Sequence, residues 1–133
     1  MKIYMTHCSA QKDAALRGRA IKVSPDKLYT ARQILRFMKK CLEKQVKWAI
    51  FSDKYGVWFP HVRHEWYEKN PDTVNESEFR KLLKDVNRQL RRYETVFFYY
   101  NPRRFHPFYR KLLRASEVYD KVRFFSHLKE IKG

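Results

Sequence analysis

Two short polar segments carry the side chains from which a binding or catalytic site is commonly built. His7, Cys8, Ser9 and Lys12 bring an imidazole, a thiol, a hydroxyl and an amine into one stretch, and residues 52–55 form the second segment. Lysines and backbone N–H groups in turns hold phosphates, whereas imidazoles and carboxylates carry protons in catalysis. Both segments are therefore candidates for binding a phosphorylated ligand.

In the first segment, Ser9 and Lys12 are predicted phosphate contacts, and His7 is a candidate acid or base. A thiol near an ammonium group has a lowered pKa, so Cys8 is a candidate nucleophile beside Lys12. The alternative for Cys8 is an inert, buried cysteine in a capped loop.

In the second segment, Asp53 is the candidate general base, while Lys54 and Tyr55 are predicted to contact phosphate or base edges. Ser52 completes this cluster as a further predicted phosphate contact. The alternative is a turn in which the carboxylate satisfies backbone amides and Tyr55 packs in the core. Gly56 follows directly. Because glycine adopts a positive φ without steric cost, it predicts a sharp turn here.

Four short apolar runs alternate with helical patterns and are predicted to be strands. They span residues 2–6, 46–51, 95–100 and 122–125. Strands separated by helices favour right-handed βαβ connections, so we predict a single α/β domain over residues 1–133, with a mainly parallel sheet of about four strands flanked by helices. Ligands of such sheets bind beyond the carboxyl ends of the strands. The two polar segments, residues 101–104 and residues 126–127 are all expected at that edge.

Three helices are predicted between the strands. The first begins at Ser24 and Pro25, a cap followed by a proline, and the second begins at Asn75, which is expected to form a capping box with Glu78. The third follows Pro102. Their apolar residues recur at the helical period: Leu28, Ala31, Leu35, Met38 and Leu42 in the first; Phe79, Leu82, Leu83, Val86, Leu90 and Tyr93 in the second; Phe105, Phe108, Tyr109, Leu112 and Leu113 in the third.

The chain carries 30 Lys and Arg against 14 Asp and Glu, a net charge of +16. An excess of this size attracts polyanions, because each neutralised phosphate releases a condensed counterion. Nucleic acid is therefore the predicted partner, and a merely cation-rich surface or a membrane surface is the alternative. No apolar run approaches the roughly 18 residues of a membrane span, and nothing resembles a signal peptide. We expect no membrane association, a cytoplasmic location, and free thiols at Cys8 and Cys41.

Basic side chains recur every four residues along two of the predicted helices, which places them on one helix face. The two stripes are Arg32, Arg36, Lys40 and Lys44, and Arg80, Lys84, Arg88 and Arg92. Since like charges at this spacing repel and neither stripe contains an acid, phosphate contact is predicted, with Arg80, Lys84 and Arg88 as candidate contacts. Arg103 and Arg104, expected near the start of the third helix, are candidates for the same reason.

Several classes of protein are excluded by missing motifs. The chain has no glycine-rich phosphate loop, no zinc-spaced set of Cys and His, and no nucleophile elbow. His61 and His64 have a spacing compatible with metal binding, but the sequence fixes no third ligand. Neither a metal site nor a cofactor is therefore predicted.

Three segments together resemble the YaaA-like superfamily. They are Cys8-Ser9-x-x-Lys12, Leu28-Tyr29-Thr30, and the run from Ser52 to Val57 followed by Pro60, and Trp66-Tyr67 matches a tyrosine-containing loop of that superfamily. The first segment is also similar to part of archaeosine synthase, which modifies a deazaguanine base in archaeal tRNA. YaaA-type proteins are associated with DNA binding and oxidative stress, so the resemblance implies a nucleic-acid-directed role.

These features leave three functions open. The first is a basic cytoplasmic protein that binds DNA or RNA through phosphate contacts. The second is an enzyme that acts on a nucleobase or nucleotide, by modification of a tRNA or DNA base or by glycosidic-bond chemistry, with Asp53, His7 or Cys8 as the catalytic group. The third is a basic subunit of an RNA–protein assembly.

Overall fold

A five-stranded sheet forms the centre of the computed structural model, which describes all 133 residues. The strands are β1 (Lys2–His7), β2 (Trp48–Ser52), β3 (Gly56–Trp58), β4 (Thr95–Tyr99) and β5 (Val122–Phe125). The helices are α1 (Pro25–Leu28), α2 (Arg32–Glu43), α3 (Glu76–Leu90) and α4 (Pro107–Ala115). Short 3₁₀ turns lie at Ala14–Leu16, Pro71–Thr73, Tyr119–Lys121 and Leu128–Glu130.

The strand order is β3-β2-β1-β4-β5, and every neighbouring pair is parallel except β2 and β3. The predicted class, a mainly parallel α/β sheet flanked by helices, is confirmed. The strand count of about four missed β3. That strand has only three residues, which is too few to show an alternation, and the short turn before it does not separate it clearly from β2.

Gly56 begins β3 with a φ of +73°, in agreement with the sharp turn predicted from its sequence position. The outer edge of this strand is closed by Gln89 of α3. Its side-chain amide donates a hydrogen bond to the Val57 carbonyl (2.9 Å) and accepts one from the Val57 N–H (3.1 Å). A side chain thus takes the place of a sixth strand and protects this edge from pairing with another chain.

Alternate residues of the strands face different helices, because successive side chains point to opposite sides of a sheet. On one side, Tyr99 of β4 stacks on Phe37 of α2, with ring centroids 5.9 Å apart. On the other side, Phe51 of β2 packs against Tyr109 of α4, with ring centroids 5.8 Å apart. Helix α3 lies beside α4. The sheet is therefore the middle layer of three.

In the sheet, β2 lies on one side of β1, and β4 lies on its other side. The helices that follow β1 and β4 lie on opposite faces of the sheet. In open α/β sheets this divergence creates a crevice at the carboxyl ends of the two central strands. Here those ends are His7 of β1 and Tyr99 of β4.

The prediction of one continuous helix from Pro25 onwards is wrong in part, because α1 and α2 are separated by an extended break. Residues 11–13 pair with residues 28–30 across this break. The Asp13 N–H donates to the Leu28 carbonyl (2.8 Å), and the Thr30 N–H donates to the Gln11 carbonyl (3.1 Å). These tertiary hydrogen bonds replace the intrahelical ones that a continuous helix would make.

The break also changes which face of α2 is buried. Leu35 and Leu42, expected to face the core, are 44% and 66% exposed. The buried face consists of Ile34, Phe37, Met38 and Cys41, and of these Met38 was predicted. The helical period itself was correct, but its phase was set by counting from Leu28, which belongs to a different helix.

The predicted capping box of α3 is confirmed. The Asn75 side chain accepts a hydrogen bond from the Glu78 N–H (2.8 Å), and the Glu78 carboxylate accepts one from the Asn75 N–H (3.2 Å). The third helix begins at Pro107 rather than directly after Pro102. His106 is its N-cap, since its Nδ1 accepts from the Phe108 N–H (3.0 Å).

Two further expectations concern the cysteines and the membrane. Cys8 and Cys41 are both buried free thiols, as expected. None of the helices combines the length and the hydrophobicity that crossing a membrane requires.

Candidate functional site

A cleft of about 870 Å³ lies at the carboxyl edge of the sheet, where the connections after β1 and β4 diverge. The loop after β1, the first turn of α2, the end of β2, the loop before α3 and the start of α4 all contribute to its walls. The lining includes all three candidate catalytic residues (His7, Cys8 and Asp53) and three of the predicted phosphate contacts (Ser9, Lys12 and Arg104). Sequence order and topology thus bring separate segments to one place.

The loop after β1 is fixed by hydrogen bonds at both of its ends. The Cys8 N–H donates to the Phe51 carbonyl of β2 (2.9 Å), which extends the sheet by one residue. The Ser9 hydroxyl accepts from the Gln11 N–H (3.2 Å) and shapes the turn. Lys12 is held by its bridge to Tyr29. The backbone therefore positions the Lys12 side chain at the cleft.

A buried cluster of a thiol, a carboxylate and a phenol forms one part of the cleft wall. The Cys8 Sγ lies 3.7 Å from Asp53 Oδ1 and 3.0 Å from the Tyr109 hydroxyl. The thiol donates to the carboxylate, and the phenol is then free to donate to the sulfur. All three residues are buried, and all three line the cleft.

The expectation of a lowered thiol pKa at Cys8 is wrong. Burial, together with the negative charge of Asp53, raises the pKa of Cys8 to about 11. Burial also lowers the pKa of Lys12, so this ammonium group is weakened as a source of stabilisation for a thiolate. Cys8 is consequently a neutral thiol near neutral pH and a poor nucleophile.

Asp53 is only 3% exposed, and burial raises the pKa of its carboxyl group. The hydrogen bond from Cys8 and the positive charge of Lys12 act in the opposite direction. No Lys, Arg or His nitrogen lies within 4 Å of this carboxylate, in contrast to the ion pairs made by acids elsewhere on the surface. Asp53 is a proton acceptor held in a poorly solvated position.

Ser52 does not reach the cleft, although it was predicted to contact phosphate. It is fully buried, and its hydroxyl accepts from the N–H groups of Lys54 and Tyr55 at 3.1 Å each. It also donates to the Tyr67 hydroxyl (3.1 Å), which in turn is hydrogen-bonded to the Tyr29 hydroxyl. Ser52 therefore shapes the turn and holds Tyr67 in the cleft wall, and it has no free position for a ligand.

Two cations of the cleft have no acidic partner. The Lys12 ammonium lies over the Tyr67 ring, 4.5 Å from its centroid, and no carboxylate oxygen is within 4 Å. Arg104 is exposed and likewise unpaired. The other cationic side chain, Lys69, is paired with Glu78 at 2.8 Å. Lys12 and Arg104 are thus the charges that remain available to an anion.

The loop before α3 is tied both to α3 and to the N-cap of α4. Lys69 pairs with Glu78 of α3, and His106 Nε2 lies 2.9 Å from Asp72 Oδ1. Because His106 Nδ1 accepts from the Phe108 N–H, Nε2 carries a proton and donates to the carboxylate. These two contacts hold Tyr67 and its neighbours against the cleft.

His7 is buried in the cleft wall and stacks on Tyr109, with ring centroids 5.6 Å apart. Its Nδ1–H donates to the Cys8 carbonyl (3.1 Å), and burial lowers its pKa. The imidazole is therefore neutral near neutral pH, with Nε2 as an acceptor. This is the form that a general base requires.

Lys54 and Tyr55 do not line the cleft, although the Lys54 ammonium lies 5.9 Å from the ring centroid of Tyr67. Tyr55 stacks on His64 with ring centroids 3.7 Å apart, and Lys54 is exposed above the Tyr55 ring. Tyr55 is half-buried, so the alternative interpretation of this residue as a packing side chain describes it better. No group of three His, Cys, Asp or Glu side chains is placed to hold a metal ion, and His61 and His64 are no exception.

The basic stripes differ from each other. On α3, Arg80 pairs with Glu76 and Arg88 pairs with Asp85 at 3.4 Å, so the expectation of a stripe without acids is wrong there. Lys84 is exposed and unpaired. The stripe on α2 has no acidic partner within 4 Å at any of its four positions, Arg32, Arg36, Lys40 and Lys44. Arg103 is exposed next to Arg104 but does not line the cleft.

Several cleft residues were not identified as site residues from the sequence. Gln33 and Tyr109 lie on helices, where Tyr109 has the spacing of an ordinary core residue. Lys69 and His106 lie in connections without a periodic pattern. One signal was available: residues 59–75 join β3 to α3, and a connection of more than about 15 residues is commonly functional.

Comparison of the chain with family models, with characterised proteins and with solved structures finds no match. Membership of the YaaA-like superfamily remains a prediction from the motifs around Cys8 and Asp53. The geometry of the cleft is therefore the basis for assigning a function.

Proposed function

We propose that this protein binds single-stranded or locally opened nucleic acid, with the backbone crossing the mouth of the cleft and one nucleotide entering it. The observation that carries this proposal is the pair of unpaired cations, Lys12 and Arg104, at a cleft in the usual ligand position of an open α/β sheet. Membership of the YaaA-like superfamily and a cytoplasmic location form part of the same proposal.

The charge of the whole molecule supports a polyanionic ligand. Only six of the 30 Lys and Arg side chains lie within 4 Å of an acid: Arg17, Lys69, Arg80, Lys81, Arg88 and Arg91. The positive charge of the remaining Lys and Arg side chains is not neutralised by an acid within 4 Å, so it attracts phosphates from a distance. The cleft supplies what this general attraction lacks, a defined place for one segment of the ligand.

Binding to a fluorescent single-stranded oligonucleotide, measured as a function of salt, tests this proposal. We expect affinity to fall steeply between about 50 mM and about 200 mM salt, since each phosphate neutralised on a single strand contributes a slope of about −0.7. Absence of binding to both DNA and RNA at the lowest salt concentration would show that the proposal is wrong.

Matched variants separate the cleft from the overall charge. The double variant Lys12→Ala/Arg104→Ala removes two cleft cations. Lys44→Ala/Lys47→Ala removes two exposed cations from the opposite edge of the sheet, at the end of α2 and the start of β2. We expect the first variant to lose about tenfold in affinity or more and to reduce the salt slope by about 1.4, while the second loses about twofold. Equal losses would mean that binding is not centred on the cleft.

A second candidate function is an enzyme that acts on the bound base or nucleotide. It is favoured by the neutral His7 and the buried Asp53, two proton carriers that line the same cleft. Asp53 or His7 would carry a proton, and Lys12 would hold a phosphate. Incubation with DNA, tRNA or free nucleotides, followed by mass spectrometry of the bases, tests this function. A product formed by the wild type and not by Asp53→Asn would support it, and unchanged bases would contradict it.

A further inference from the structure

We propose that Asp53 makes the cleft selective for a base that carries an exocyclic amino group, namely cytosine, adenine or guanine, over uracil and thymine. This inference rests on the proposed nucleic-acid binding and names what the cleft recognises. It assigns Asp53 a direct contact to the base, separate from the phosphate contacts of Lys12 and Arg104.

The carboxylate of Asp53 has hydrogen-bonding capacity that the protein does not use. The residue is 97% buried, and its carboxylate accepts a 3.7 Å hydrogen bond from Cys8 Sγ, which is a weak donor. The backbone N–H of Asp53 itself also stabilises the carboxylate. A buried carboxylate is normally paired with a cation or satisfied by several N–H or O–H donors. Asp53 has no cation within 4 Å and only these two local donors, yet it lines the cleft. The missing donors are therefore expected to come from a ligand.

The neighbouring groups cannot supply those donors. The hydroxyls of Tyr67 and Tyr109 are engaged with Ser52, Tyr29 and Cys8. The Lys12 ammonium lies over the Tyr67 ring and forms no ion pair with Asp53, and the Lys69 ammonium pairs with Glu78 at 2.8 Å. Asp53 therefore remains an acceptor in this wall with capacity for further hydrogen bonds.

A nucleotide has the two chemical features that complement the cleft, an anionic group and N–H donors. Its phosphate is an anion for Lys12 and Arg104, and an amino-bearing base offers N–H donors to the carboxylate. Acidic side chains accept in this way from the N4 amino group of cytosine. Uracil and thymine present a carbonyl oxygen at the same ring position, and a carboxylate oxygen repels it. A simple amine would satisfy Asp53 but would be repelled by the two cations.

Two pentanucleotides that differ only in their central base test the selectivity. The first is oligodeoxyuridine, and the second has cytidine at its central position; RNA versions are measured in parallel. We expect the wild type to bind the cytidine-containing strand about fivefold more tightly or better, the lower end of discrimination by one good base contact. Asp53→Asn, which both donates and accepts, should bind the two strands within about twofold of each other.

Asp120→Asn is the matched control, because Asp120 is exposed and lies in the 3₁₀ turn Tyr119–Lys121 that leads into β5, at the edge of the sheet opposite the cleft. This variant should keep the wild-type preference. Equal binding of both strands by the wild type, with normal salt dependence, would overturn the base contact while leaving nucleic-acid binding intact. A preference that survives in Asp53→Asn would also overturn it. Absence of binding to every strand would overturn both proposals.

Discussion

At the scale of single residues, the cleft is the place where this chain departs from ordinary folding rules. Asp53 is a carboxylate buried without a cation, and Cys8 is a thiol whose burial raises its pKa to about 11. Such groups cost stability, because neither a charge nor a polar atom is well solvated in the protein interior. Features that violate local rules tend to concentrate at functional sites.

This cost can be measured at Asp53. Burial raises the pKa of its carboxyl group in the folded state above the ordinary value of 3.8, so the folded protein binds the proton more tightly than the unfolded chain does. The associated stability is fully present below the unfolded pKa and is lost as the pH rises through the folded pKa. Asp53→Asn should therefore be more stable than the wild type at neutral pH, by about 1–2 kcal/mol.

Chemical denaturation of both proteins across the acidic range provides the measurement. The advantage of Asp53→Asn should shrink as the pH falls through the raised pKa of the folded state, and level off below 3.8, where Asp53 is protonated in both states. Asp120→Asn serves as the control and should differ little from the wild type at any pH. A lower stability of Asp53→Asn at neutral pH would show that the charged form of Asp53 is favoured by the fold.

At the scale of the elements, local signals were reliable where one segment determines its own structure. The capping box at Asn75 and the turn at Gly56 depend on neighbouring residues only, and both were predicted. The break at Tyr29 and the strand β3 depend on partners distant in the chain. Residues 11–13 determine the first, and β2 together with Gln89 determines the second. A single sequence shows no sign of such pairing.

The same distinction applies to the cleft. The placement of Cys8, Lys12 and Asp53 followed from the rule that parallel strands deliver their following residues to one edge. The direction of each side chain did not follow from it. Tyr55 and Asp53 are two residues apart, yet one packs on His64 and the other lines the cleft.

The phase of α2 gives a direct test at this scale. Both Leu42 and Ile34 belong to α2, but Leu42 is 66% exposed whereas Ile34 is fully buried. Leu42→Ala should change the free energy of unfolding by less than about 0.5 kcal/mol, whereas Ile34→Ala should cost about 2–5 kcal/mol because it leaves a cavity. Denaturant titration of the two variants measures both values. A cost at Leu42 comparable with that at Ile34 would mean that Leu42 faces the core.

At the scale of the whole molecule, the excess of positive charge attracts polyanions and also destabilises the folded state. With a net charge of +16, the Lys and Arg side chains repel one another in the folded state and attract polyanions to the protein surface. The unpaired stripe on α2 belongs to this general field, and so does Lys84 on α3. The cleft differs from these surfaces because its two free cations, Lys12 and Arg104, stand beside buried groups that can recognise more than charge.

The central claim is that nucleic acid enters the cleft, and photocrosslinking tests it most directly. A single-stranded oligonucleotide with a photoreactive base at its centre is bound to the wild-type protein, crosslinked, and located by mass spectrometry of the peptides. We expect adducts on Tyr67 or Tyr109, two aromatic side chains of the cleft wall. Adducts confined to the outer faces of α2 and α3, with Tyr67 and Tyr109 unmodified, would contradict it.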